Sequence, residues 1–214
     1  MDDAAHGEDS SSRNGSAVSQ CERGADGRVR ICLTDGSSFF ISTEFADRNA
    51  IRSGLEVSEE LYTAIAANAE ELRAYKKGLE LLGRREHTAF ELSRKFKERG
   101  YSQPVSAVVL TKLQKAGYLD DRRYAEAWVR SRLKRRPEGY SRLAAGLARR
   151  GVDRRTVTAV LDAMFTEEES EKALAAAAEK ILKRGTADEV AVLKKLTTLG
   201  FSYRQAKAHL QKLQ

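Results

Sequence analysis

A recurring motif constrains this chain more than any other feature of it. Residues 92–102 read Leu92-x3-Phe96-x3-Gly100-Tyr101-Ser102, residues 143–153 read Leu143-x3-Leu147-x3-Gly151-Val152-Asp153, and residues 192–202 read Val192-x3-Leu196-x3-Gly200-Phe201-Ser202. The glycines lie 51 and 49 residues apart. Apolar residues four apart share one helix face, and a glycine just beyond adopts the left-handed conformation that closes a helix C-terminus. The following apolar residue folds back onto the turn, and Ser102, Asp153 and Ser202 stand where a side-chain oxygen caps the next helix. Pro104 falls in the first turn of such a helix, where a missing N–H does no harm. Downstream positions also correspond: Val109, Leu110 and Leu113; Val160, Leu161 and Met164; Leu210 and Leu213. The pattern predicts a mainly α fold of three tandem three-helix repeats, 79–117, 118–165 and 166–214, stacked in an elongated array because each repeat buries little by itself.

What precedes the repeats reads differently. Residues 1–27 are rich in Ser, Gly, Asp and Ala without apolar periodicity, and predict a disordered tail. In residues 28–78 the alternation of Val29, Ile31 and Leu33, followed by Asp35-Gly36 and a second apolar run, predicts a small β-hairpin that must dock on something. Ser58 before Glu59 and Glu60 then starts a long helix that runs to about Leu82.

The 214 residues are 41% hydrophobic and 32% charged, enough to bury a core. No apolar run reaches the roughly 18 residues of a membrane span, and the acidic start Met1-Asp2-Asp3 is unlike a secretory leader. Two cysteines, Cys21 and Cys32, and the dispersed His6, His87 and His209 predict no zinc site or disulfide scaffold, no cofactor, and a cytoplasmic location. No phosphate-cradling loop, nucleophile elbow or paired catalytic carboxylates occur, so no catalytic residue and no small-molecule substrate are expected.

Charge is unevenly distributed. Residues 1–70 carry a net −7, residues 71–165 a net +12, and residues 166–214 a net +2. A concentrated basic excess suits a polyanionic partner, since neutralised phosphates release counterions. The sharpest segment is residues 117–133. Asp120 reads as a cap there, with Leu119 and Tyr124 spaced as a hydrophobic staple. At 100° per residue, Tyr124, Ala125, Trp128, Val129 and Leu133 share an arc, whereas Arg123, Arg130 and Lys134 form an opposite basic stripe. Asp121 and Arg132 project into the apolar arc and read as structural. Arg142 and Arg149 share a face in the next helix, and Arg135 adds to the cluster. Guanidinium forks match phosphate and carboxylate alike, so nucleic acid and an acidic protein surface both remain open as partners.

The run from residues 81–87 through Glu91-Leu92, Gly100-Tyr101, Gly117-Tyr118-Leu119-Asp120-Asp121-x2-Tyr124-Ala125, Arg130-x-Arg132 and Gly139 to Gly151 resembles the RecX family of regulators of the bacterial recombinase RecA. The match covers about residues 75–165 and is weaker in the third repeat, where Thr197-Thr198-Leu199 replaces residues often basic in the family. The resemblance implies a non-catalytic helical protein that lies along the RecA filament on single-stranded DNA, inhibits its ATPase and strand exchange, and so regulates DNA repair and recombination. The alternative from residues alone is a helix-turn-helix DNA-binding protein acting without RecA, but its reading helix, starting Gln103-Pro104-Val105-Ser106, is poor in side chains that reach base edges. A nuclease would need an acidic metal cluster that the sequence does not display.

Overall fold

The computed structural model describes residues 15–185 and 188–212. These residues form two compact units. One comprises the described residues as far as Lys77 together with Tyr101–Val109, the other Gly78–Gly100 together with the described residues from Leu110 onward.

In the first unit β1 (Ser16–Arg23), β2 (Arg28–Leu33) and β3 (Ser38–Ser42) run antiparallel in sequence, and β4 (Glu56–Val57) pairs with the start of β1, giving the order β3-β2-β1-β4. The predicted hairpin is present as β2 and β3. Its turn is closed by the Leu33 N–H donating to the Ser37 carbonyl at 2.8 Å, with Gly36 at φ +86°. The hairpin belongs, however, to a four-stranded sheet, and the tail predicted over residues 1–27 is wrong for residues 16–23. That segment buries only Val18, so it carries no apolar alternation. Ladder bonds to β2 order it instead, through a turn at Asp26-Gly27, the same dipeptide that marks the hairpin. Residues 1–14 lie outside the described residues.

The sheet docks as hairpins must. Val18, Val29, Ile31, Leu33 and Ile41 form one core with Ala46 of α1 (Thr43–Arg48) and with Ile65 and Ala69 of α2 (Glu59–Arg84). Full burial of each large aliphatic here stabilises the unit by about 1.5–3 kcal/mol. Ser58 starts α2 as predicted, its hydroxyl accepting from the Leu61 N–H at 3.2 Å.

The remaining elements are all helical: α3 (Ala89–Lys97), α4 (Gln103–Lys115), α5 (Asp121–Arg135), α6 (Tyr140–Ala148), α7 (Arg154–Met164), α8 (Glu167–Leu182), α9 (Glu189–Thr198) and α10 (Tyr203–Gln211). The three repeat glycines close α3, α6 and α9 at φ +77°, +79° and +93°. After the last two, the Val152 and Phe201 N–H groups reach back to the Leu147 and Leu196 carbonyls at 3.3 Å. Asp153 caps α7, and Ser202 with Gln205 forms a capping box on α10. Leu92 and Phe96, Leu143 and Leu147, and Val192 and Leu196 are all buried. Leu213 lies outside the described residues.

Helices α5 to α10 share one continuous core that runs from Tyr124 to Leu210. Adjoining repeats also interlock by a repeated device. Gly139, at the start of α6, has no side-chain cap; its N–H donates to the Leu199 carbonyl at 2.8 Å, and the Ser141 N–H donates to Gly200 at 3.3 Å. The exposed donors of one helix start thus meet the exposed acceptors of another helix end, which satisfies both. At the start of α3 the Thr88 hydroxyl donates to the Arg150 carbonyl at 2.6 Å, and Phe90 covers Gly151.

Candidate functional site

Helix α5 presents the basic surface that its sequence forecast. Asp120 caps it, accepting from the Arg122 and Arg123 N–H groups at 2.9 and 3.0 Å. Leu119 and Tyr124 are both buried, as are Ala125 and Val129. Trp128 is half-buried against the same core, its ring flanked by the Arg132 guanidinium at 5.4 Å and that of Arg150 at 5.0 Å. These two cation–π contacts help hold the indole against the core. On the opposite side Arg130, Lys134 and Arg135 are exposed and border a shallow cleft of about 310 Å³ together with Ala127 and Ser131. No ion pair neutralises these three among the described residues, nor Arg149, which is also exposed.

Two arginines expected to be open cations are paired within the fold. Arg123 is exposed, as expected, but it is not free. Its guanidinium grips Glu86 at 2.6 and 3.2 Å and donates to the Gly117 and Tyr118 carbonyls, each at 3.0 Å. It therefore ties the end of α4 and the approach to α3 onto the start of α5. Arg142 pairs with Glu138 at 3.1 Å and donates to the Thr198 carbonyl at 3.0 Å, linking the second and third repeats. Both partners lie too far along the chain for helix periodicity to reveal.

The two charges that project into the apolar arc of α5 have partners. Asp121 accepts from the Ala89 N–H at 2.8 Å, and burial pushes its carboxyl above the usual range. Arg132 grips Glu138, only 2% exposed, at 2.7 and 3.1 Å. Beside Asp121 lies a polar cluster that sequence reasoning missed. Glu91 accepts from Arg85 at 3.0 Å and from the Tyr124 hydroxyl at 3.2 Å, with His87 Nδ1 also at 3.2 Å. Burial opposes the Glu91 charge, yet the Arg85 guanidinium and these hydrogen bonds hold its carboxyl below the usual range. Burial, assisted by Arg85, pushes the His87 imidazole down, and burial pushes the Tyr124 hydroxyl up. Among the described residues no cluster of three or more His, Cys, Asp or Glu is arranged to hold a metal ion, and no helix is long and apolar enough to cross a membrane.

Known proteins match this arrangement. The family model described as RecX, first three-helix domain, matches residues 74–113, and that for RecX, second three-helix domain, matches residues 120–161. The regulatory protein RecX of Treponema pallidum is 33% identical over 132 residues, covering 62% of this chain and 80% of that relative. The chain belongs to the RecX family. A second RecX, from a Mycobacterium strain, is 45% identical over 94 residues, covering 44% of this chain and 51% of its own length. Two solved RecX structures share the fold: one covers 90% of this chain and 97% of its own at a TM-score of 0.76 and 24% identity. The other, from Lactobacillus salivarius, covers 67% of this chain and 96% of its own at 0.62 and 22%. The match to the second three-helix domain contains Arg123 and Arg142 as well as the open cations Arg130, Lys134, Arg135 and Arg149, so tied and open cations alternate within one RecX domain.

Proposed function

We propose that this RecX-family chain is a non-catalytic regulator of the RecA recombinase, that it binds the RecA filament on single-stranded DNA in the cytoplasm, and that it lowers filament ATPase and strand exchange. The observation that carries this reading is the stripe on α5: Arg130, Lys134 and Arg135 stand exposed, without internal carboxylate partners, on a helix start to end within the second RecX domain. Arg130 and Lys134 share a helix face and border one cleft with Arg135, and these like charges repel one another, at some cost in stability, unless an anionic partner covers them. Arg149 extends the same surface in this proposal, and the repeats 79–117, 118–165 and 166–214 are its working units. The helix-turn-helix alternative gains nothing from α4, whose first turn holds Gln103, Pro104 and Val105.

The test is ATP hydrolysis by RecA on single-stranded DNA, with this protein titrated from well below one copy per recombinase subunit. Inhibition at low ratio that weakens in a combined Arg130→Ala, Lys134→Ala, Arg149→Ala variant supports the proposal. Full inhibition by the variant would move the contact off this face, and absence of any effect from folded wild-type protein would overturn the regulatory reading.

A further inference from the structure

A second cationic groove runs from the C-terminal end of α5, where it shares Arg135 with the stripe, to α8 and α9 of the third repeat. A cavity of about 340 Å³ opens among the α5–α6 loop, α8 and α9, bordered by Arg135, Arg136, Lys180 and Arg184. It adjoins a second of about 500 Å³ against α9, and the two share Ile181, Arg184 and Leu199. The floor is aliphatic, with Ile181 8% exposed and Leu199 half-buried. The rim is electrostatically unbalanced. Glu138 is the one carboxylate lining either cavity, and Arg132 and Arg142 already neutralise it. Elsewhere on α8, Glu168 and Glu169 pair with Lys172 and Glu179 with Lys183, not with Lys180 or Arg184. Among the described residues, Arg135, Arg136, Lys180 and Arg184 are left without an ion pair.

We propose that this groove docks an acidic peptide segment of a partner protein, an aliphatic side chain seated on the floor and carboxylates on the rim. Charge complementarity sets the sign of the ligand, and the floor sets its class. No aromatic side chain lines either cavity, so a nucleic-acid strand would find no stacking platform there. A leucine-like side chain gains from leaving water for an aliphatic surface, and guanidinium forks bind carboxylates bidentately. The inference does not rest on the recombinase reading, because its test contains neither recombinase nor DNA filament.

Fluorescence anisotropy of the full chain with a labelled peptide of Asp and Glu around a central Leu-Leu pair provides that test. The peptide binds, and Lys180→Ala with Arg184→Ala weakens it by about tenfold or more. Arg130→Ala with Lys134→Ala leaves it unchanged, and an Ala-Ala peptide of equal charge binds about tenfold more weakly. All four side chains are exposed, so circular dichroism should show the same helical content in every variant. Equal binding of the two peptides would reduce the interaction to unspecific polyanion attraction and overturn the proposal. So would displacement by an oligo(dT) of equal charge, or failure of the leucine peptide to bind.

Discussion

At the scale of single residues, Gly151 shows two constraints acting at one position. Its φ of +79° is costly for any residue with a Cβ, and an added Cβ would collide with Cβ of Phe90. A collision with an atom so near the backbone cannot be relieved by a rotamer change alone. Gly151→Val is expected to lose about 2 kcal/mol or more, seen as a lower denaturant midpoint; wild-type stability would remove the turn argument. His87 supplies a pH test. Its folded pKa lies below the model-peptide 6.5, so the unfolded chain takes up a proton that the folded chain refuses. Stability is therefore intact above pH 6.5 and falls as pH drops through the lower folded value. Glu91, depressed below 4.5, acts in the same sense at lower pH, while Asp121, raised above 3.8, acts in the opposite one. The melting temperature should fall between pH 7 and 5.5, and His87→Gln should flatten that slope; an unchanged slope in the variant would assign the effect elsewhere.

Helix α5 divides its arginines by what surrounds each end. Near the N-terminus Arg123 meets Glu86 and two carbonyls, and near the C-terminus Arg132 meets Glu138. Between and beyond them Arg130 and Lys134 meet solvent. Arg123→Ala should therefore cost about 1–2 kcal/mol, less than a buried pair because both partners are partly exposed. Partner affinity should change little once the variant is compared at a temperature where it remains folded. A large affinity loss without any loss of stability would return Arg123 to the binding face. Periodicity alone places Arg123 beside Arg130 and Lys134, and the angular reading is sound. What it omits is that Glu86, 37 residues earlier, is brought against the first turn of α5. The apolar arc, the cap at Asp120 and the repeat turns are legible because each is decided by residues within one or two helical turns.

Over the whole molecule, the basic excess of residues 71–165 is partly an internal resource. Ion pairs to Glu86, Glu91, Glu126 and Glu138 absorb several of its arginines. The external electrostatic effect is thus smaller than the sequence count and confined to particular faces. If the α5 stripe contacts a single-stranded DNA backbone, removing Arg130, Lys134 and Arg149 should reduce the slope of log affinity against log salt by up to about 0.7 per lost phosphate contact. Affinity measured from 50 to 200 mM salt checks this, and an unaltered slope would show that these side chains do not neutralise phosphates.

The sequence by itself determined the helical repeats, their glycine turns, the hairpin at Asp35-Gly36 and the family resemblance that the domain matches establish. Those features depend on backbone conformation and side-chain spacing over short separations. Tertiary structure alone decided that residues 16–23 form a strand, since their order comes from a ladder with β2 and not from their own apolar pattern. It also decided which cations stay free. Arg142 reaches the Thr198 carbonyl 56 residues away, and Lys180 and Arg184 share a groove with Arg135 and Arg136 from another repeat. A charge is available to a partner only after the fold has matched the other charges internally, and that matching is made by contacts between repeats that no local pattern encodes.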